Sequence, residues 1–333
     1  LGGLFNIDKG NVTGTQLAGL FNLVGDTVKG VQLAGILNVT GKEMVGFQAS
    51  GLMNMNMGNT RGVQSAGLFN LNLKKTTGVS IAGIGNISDS LHGAALSCVF
   101  NHSLHSKRSL ELTGLFNKTK WGEGNYQLSC LFNSTRKGTT NTQLSFFFNR
   151  AHTLRGVQLG CINYADSASG IPIGLLSIVK NGYHKIEFSS DELRFGTMAL
   201  CVGVPKFYNI FLGGINYYNT TLWTYGYGLG SDFTFSNKWG LTLNATMQQI
   251  QMVTNAEIEA NLLTKINVGV TYKVLPKMQI NLGPTFNLYL SDTEGDFKMS
   301  EFDELGIIHL ANSNETTTYF RSFIGAKLGI KFF

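Results

Sequence analysis

Residues 16–22 read QLAGLFN, and the phrase returns as QLAGILN at 32–38, QASGLMN at 48–54 and QSAGLFN at 64–70. Each copy ends on an asparagine, and from Asn6 the column runs through Asn22, Asn38, Asn54, Asn70, Asn86, Asn101, Asn117, Asn133, Asn149 and Asn163. The step is sixteen residues, except for fifteen between Asn86 and Asn101 and fourteen after Asn149. A constant short period means one unit stacked on copies of itself, each touching only its neighbours. Parallel strands in register set Asn above Asn at about 4.8 Å, close enough for side-chain amides to bond along the column. The sequence therefore predicts a parallel β-solenoid over residues 1–180, with these asparagines as its structural ladder. One position earlier stands an apolar column, Phe5, Phe21, Leu37, Met53, Phe69, Phe100, Phe116, Phe132 and Phe148, broken by Gly85. It is expected to form a stacked-aromatic core.

Polar, glycine-containing stretches such as residues 25–30 and 135–138 read as the return arc of each coil. No proline occurs before Pro172, as a structure that needs every backbone donor requires. The rival geometry makes each repeat one strand of a single large antiparallel barrel acting as a channel or transport component. It leaves the asparagine column unexplained, because antiparallel neighbours would not set Asn beside Asn, and it conflicts with connections that are all alike.

After Ser177 the repeat stops and alternation with period two begins. Trp223, Tyr225, Tyr227 and Leu229 alternate with Thr224, Gly226, Gly228 and Gly230, and Ile266, Val268 and Val270 alternate with Lys265, Asn267 and Gly269. Eight strands are expected, near 184–190, 194–203, 207–217, 222–235, 239–250, 260–274, 277–291 and 318–333. Tight connections alternate with looser ones near Asn219, Thr254 and residues 291–317, which is the asymmetry of outer-membrane barrels. Residues 181–333 thus form an antiparallel, eight-stranded outer-membrane β-barrel, with Lys265, Asn267, Gln279, Asn281 and Tyr289 turned inward. An eight-stranded lumen is filled by side chains, so the barrel should anchor and not conduct.

Composition agrees with an all-β membrane protein. Charged residues are 14% of the 333 and glycine supplies 41 of them, against about 25% charged residues and about 7% glycine in ordinary soluble domains. Charge is uneven, at net +7 over residues 1–171 and −1 over the rest. With polar arcs and no run able to cross about 30 Å of hydrocarbon, the repeat region is expected to need no detergent once separated from the barrel. The opening lacks a signal-peptide pattern, so such a segment is absent or already removed.

The chain ends SFIGAKLGIKFF, which resembles the aromatic-terminated last strand of bacterial outer-membrane proteins and makes Phe333 the matching assembly signal. Ile330, Leu328 and Ile324, however, lie in phase with Phe332 and not with Phe333. The G-V-Q-L-x-G-L-x-N pattern is similar to that of the surface-repeat proteins of Gram-negative bacteria. These resemblances imply a bacterial outer-membrane protein in contact with outer-membrane lipid. Short turns on the periplasmic side would put both barrel ends there, and with them the start of the repeat domain, whose uniform ladder suits binding to other outer-membrane or periplasmic proteins.

The expected role is non-enzymatic: a barrel anchor presenting a scaffold that binds envelope proteins, with a surface adhesin as the alternative. No cofactor, catalytic residue or metal is assigned. Basic residues of the arcs, such as Lys29, Arg61, Lys74 and Arg136, read as a solvated face and not a nucleic-acid groove, since no aromatic interleaves them. His92, His102 and His105 lack a zinc spacing. The acidic run Asp292, Glu294, Asp296, Glu301, Asp303 and Glu304 lacks the calcium-loop order. His184, Ser189, Ser190, Asp191 and Glu192 have the residue types of a barrel lipid hydrolase without a supporting spacing. Cys98 and Cys130 take the repeat's small Gly position, Cys161 a neighbouring one and Cys201 a strand. Two coils separate the first pair by about 9–10 Å, too far for a disulfide.

Overall fold

The computed structural model describes residues 2–218, 222–252, 261–291, 308–314 and 319–333. The chain divides into two units, Leu1–Asn181 and Gly182–Phe333.

The first is a parallel β-solenoid of about eleven coils. Phe21 pairs with Phe5 and Leu37, and Asn22 with Asn6 and Asn38, with the register held coil after coil. This overturns the single-barrel alternative, in which neighbours would run antiparallel. A typical coil has strands Thr27–Ala34 and Leu37–Thr40, joined by corners at Gly35-Ile36 and Gly41-Lys42. Gly30, at φ +136°, bends the longer strand, so the cross-section has three sides. Glycine holds this bend in each coil from Gly14 to Gly93. A Cβ on Gly62 would stand 2.0 Å from the carbonyl oxygen of Gly46, in a left-handed conformation that L side chains avoid. Proline enters only at Pro172, whose short strand Ile171–Ile173 pairs with the strand ending at Leu159.

The interior differs from expectation. Asn22, Asn38, Asn54, Asn70, Asn117 and Asn133 are completely buried, whereas the preceding apolar column is half-exposed. Adjacent residues on a strand point to opposite faces, so Phe and Asn could not both enter. The phenylalanines stack on the outside, with Phe116 and Phe132 at 4.8 Å and Phe100 and Phe116 at 5.7 Å between ring centroids. The solenoid core is therefore a polar ladder lined by a few small or aliphatic side chains such as Val28, Met44 and Leu154.

The second unit is a closed antiparallel eight-stranded barrel. Its strands are Tyr183–Asp191, Phe195–Val204, Phe207–Asn216, Leu222–Thr234, Trp239–Met252, Asn261–Leu275, Met278–Ser291 and Tyr319–Phe332. The last pairs with the first, Phe332 opposite Ile186, and closes the sheet. A further strand unforeseen from the sequence, Ile308–Asn314, pairs with the upper part of the last, Asn314 opposite Tyr319. It takes the edge left open where the first strand stops at Asp191, opposite Lys327. The looser connections near Asn219 and Thr254, and the acidic run from Asp292 to Glu304, lie outside the described residues.

Candidate functional site

Two amide ladders of opposite polarity form inside the solenoid. Each asparagine from Asn22 to Asn149 donates an Nδ2 hydrogen to Oδ1 of the next, over 2.9 to 3.1 Å. The same nitrogen donates to a backbone carbonyl at the neighbouring corner, for example from Asn70 to Ile81 at 2.7 Å and from Asn117 to Leu128 at 2.8 Å. Both amide hydrogens are used, and a carbonyl beside a corner is satisfied by a side chain.

Glutamines form the second ladder, which the sequence displays at 16, 32, 48 and 64 but whose inward direction needs the corner geometry. Here donation runs toward the N-terminus: Gln32 to Gln16 at 3.1 Å, Gln48 to Gln32 at 2.8 Å and Gln64 to Gln48 at 2.9 Å. The first donor then needs an acceptor, and Gln16 Nε2 meets the Asp8 carboxylate at 2.5 Å. The column lapses at Ser80 and Ala95 and restarts at Glu111, which accepts from Gln127 at 3.0 Å. Gln143 then donates to Gln127, and Gln158 to Gln143, each at 2.7 Å. A carboxylate suits the start of a run because it has no hydrogen to leave orphaned. Ser106 and Thr119 also donate to Glu111, at 2.6 and 3.0 Å. Burial nevertheless dominates and pushes the Glu111 carboxyl above its ordinary range, against those hydrogen bonds.

The barrel lumen is filled. Lys331 Nζ lies 3.0 Å from Asp232 Oδ1, which also accepts from Tyr208 at 2.9 Å and Thr242 at 2.7 Å, and Tyr183 donates to the other oxygen. Lys327 pairs with Glu187 at 2.8 Å. A second knot joins Lys265 to Asp191 and to Glu192, the latter at 3.1 Å. Beyond it Leu193, Phe195, Leu222, Ile250, Leu263, Tyr289 and Phe323 pack as an apolar plug. Lys265, Asn267, Asn281 and Tyr289 are buried as expected, and Gln279 accepts from Lys185 at 2.8 Å. Outside, Leu243, Val268, Leu282 and Leu328 are exposed in an apolar wall.

Other sequence candidates do not assemble. Asp191 and Glu192 hold Lys265. Ser189 bonds to Thr197 at 2.7 Å, Ser190 stands opposite Gly196, and His184 lies opposite Val202, six residues back along the strand. No nucleophile and base are brought together among them. His102 faces Ile87 and Lys118 in the register, and His105 faces Ser90 and Trp121. Among the described residues no three metal-ligating side chains converge. All four cysteines are free, and Cys98 and Cys130 are exposed at a corner, not packed inside. Phe333 follows the last strand with φ +79° and an exposed ring, its N–H on the Lys277 carbonyl at 2.9 Å. One premise about the arcs also changes, since Trp121 stands among their basic residues with Lys137 Nζ 4.6 Å from its ring centre.

No family model matches the chain, and neither does any curated protein. A solved structure, that of Neisserial surface protein A, is similar at 11% identity with a TM-score of 0.25, over 45% of this chain and 93% of that one. So slight a likeness adds nothing to what the strands themselves show.

Proposed function

We propose that this is a non-enzymatic outer-membrane protein in which the barrel is an anchor and the solenoid a scaffold for other envelope proteins. One observation supports this above all: the lumen is closed by the Lys331–Asp232–Tyr208 knot and the apolar plug, while the outer wall is apolar. Such a barrel holds a chain in lipid and leaves no water path. The solenoid supports the scaffold half of the reading, since a ladder of fixed register presents side chains at regular spacing on a rigid body. The side that gathers Lys42, Lys74, Lys107 and Lys137 points the same way.

Two measurements in a Gram-negative host test the reading. The chain should fractionate with the outer membrane and show heat-modifiable mobility on a gel. A photo-crosslinking residue in place of Lys74 should give discrete adducts with envelope proteins in intact cells. Recovery in the soluble fraction would overturn the anchor, and absence of any adduct from Lys74 and Lys137 alike would overturn the scaffold. Cleavage of the solenoid by protease added to whole cells would favour the adhesin and remove the periplasmic placement.

A further inference from the structure

The outer surface of the solenoid is divided more sharply than its composition suggests. Four outward columns lie side by side: those of Val31 and Leu33 on one side, Ile36 at the corner and Leu37 on the next side. Among the described residues none of these columns holds a charged side chain in any coil. The corner column is the most prominent, with Leu52 44%, Leu131 46% and Phe147 56% exposed. Eleven coils give a length of about 50 Å, and seven residues of contour about 20 Å, so the apolar surface is on the order of 1,000 Å². That exceeds the few hundred Å² ordinarily left bare on a soluble monomer.

Cations stand at intervals along both edges of this surface. Lys29, Arg61 and Arg155 each stand two residues before the Val31 column, separated from it by the bend glycine. On the far side, the column of Val39 is apolar through Met55, Leu71 and Ile87 and carries cations only at Lys118 and Arg150 in the later coils, with Arg150 over the ring of Tyr164. Glu43, paired with Arg61 at 3.3 Å, and Glu123, paired with Lys107 at 3.0 Å, are acidic exceptions at the first edge. An uncharged convex wedge with cations set at intervals along its edges is an arrangement that enters a lipid surface: apolar side chains go about 5–10 Å into the acyl boundary and long basic side chains reach back to the phosphates. A second copy fits less well, because packing two such faces together would set basic edge against basic edge.

We propose that this wedge docks on a bilayer with anionic headgroups, so that the solenoid lies on the membrane by its Ile36 corner and turns its charged side to water. The inference rests on the reading of the chain as membrane-anchored and adds a second, peripheral membrane contact to it. Cys98 and Cys130, exposed in the corner glycine position, are native reporters.

The full chain, with Cys161→Ser, is reconstituted in nanodiscs of phosphatidylethanolamine and phosphatidylglycerol and labelled with a bimane dye. Acyl chains bearing a doxyl quencher should cut the fluorescence at Cys98 and Cys130 at least two-fold. The same dye at Lys74→Cys, on the charged side of a chain with Cys98→Ser and Cys130→Ser, should stay bright. Leu68→Glu combined with Leu115→Glu, both on the exposed corner, should abolish the quenching while sheet content by circular dichroism is kept. Unquenched corner dyes, or equal quenching on both sides, would overturn the proposal. So would energy transfer between copies in place of quenching, which would make a second copy the occupant. Heat-modifiable mobility reports the barrel separately: if it is absent the anchor falls, and quenching in sedimented vesicles of the same lipids still decides the wedge.

Discussion

Asn70 uses both amide hydrogens and its oxygen inside the ladder, so its replacement by leucine leaves Asn54 without an acceptor and the Ile81 carbonyl without a donor. Each orphaned buried group costs about 1–3 kcal/mol, and Asn70→Leu and Asn117→Leu should each lower stability by about that much in thermal unfolding followed by circular dichroism. Neutral outcomes at both would contradict the ladder. Glu111 behaves in the opposite sense. Burial raises its pKa in the folded state, so the fold holds the proton more tightly than the unfolded chain does. Its contribution is most favourable below the ordinary carboxyl range and is lost as pH rises through the raised value. Glu111→Gln should therefore raise the melting temperature at pH 7, by about 2–4 °C per kcal/mol recovered, and flatten its change with pH. A lower melting temperature at pH 7 would show that the carboxylate's hydrogen bonds outweigh its desolvation. The sixteen-residue spacing reveals that Asn stacks on Asn, but not that Phe faces out. Both columns have the same period, and only the corner after Gly35 decides which of two neighbours turns inward. Glu111 was equally hidden, because its place in the glutamine column follows from register across a fifteen-residue step.

At the level of the coil, the bend glycines separate stacking from conformation. Gly14 and Gly62 share a left-handed φ, at +109° and +130°, but only Gly62 lies beneath a preceding carbonyl, and nothing lies within 4 Å of a Cβ on Gly14. Gly14→Ala should cost only the strain of its backbone, about 1 kcal/mol, and Gly62→Ala clearly more, more than about 3 kcal/mol, as measured by thermal unfolding. Equal costs would mean that the coils are not in van der Waals register. Barrel strands were readable because alternation with period two assigns every residue to lumen or lipid, and Lys331 and Lys327 on one phase with Leu328 and Ile330 on the other are that rule in the final strand. The strand Ile308–Asn314 was not readable, since its role is to cover an edge created by the shortness of the first strand, which is a property of the closed sheet. Within the barrel, removing one partner of the Lys331–Asp232 pair leaves a buried charge alone. Lys331→Met should cost about 3–5 kcal/mol and abolish the heat-modifiable form at a lower temperature than in the unaltered chain.

Over the whole molecule, the two units solve the same problem with opposite surfaces. The barrel buries its polar groups in paired knots and turns an apolar wall outward; the solenoid buries amides in ladders and places most of its large apolar residues outside on two of its three sides. The proposed wedge runs against the expectation that the repeat region needs no detergent. The expectation came from net charge and polar arcs, which describe one side of the coil and say nothing of the other two. The account depends most on the filled lumen, because a chain with an open pore would be a transporter whose solenoid gates or feeds it. Single-channel recording of the purified chain in planar bilayers, with heat-modifiable mobility confirming the folded barrel, is the most direct measurement. The Lys331–Asp232 knot and the Phe195–Leu263 plug predict no steady open conductance. Stable steps of porin size would contradict the anchor and require a wider lumen than eight strands enclose.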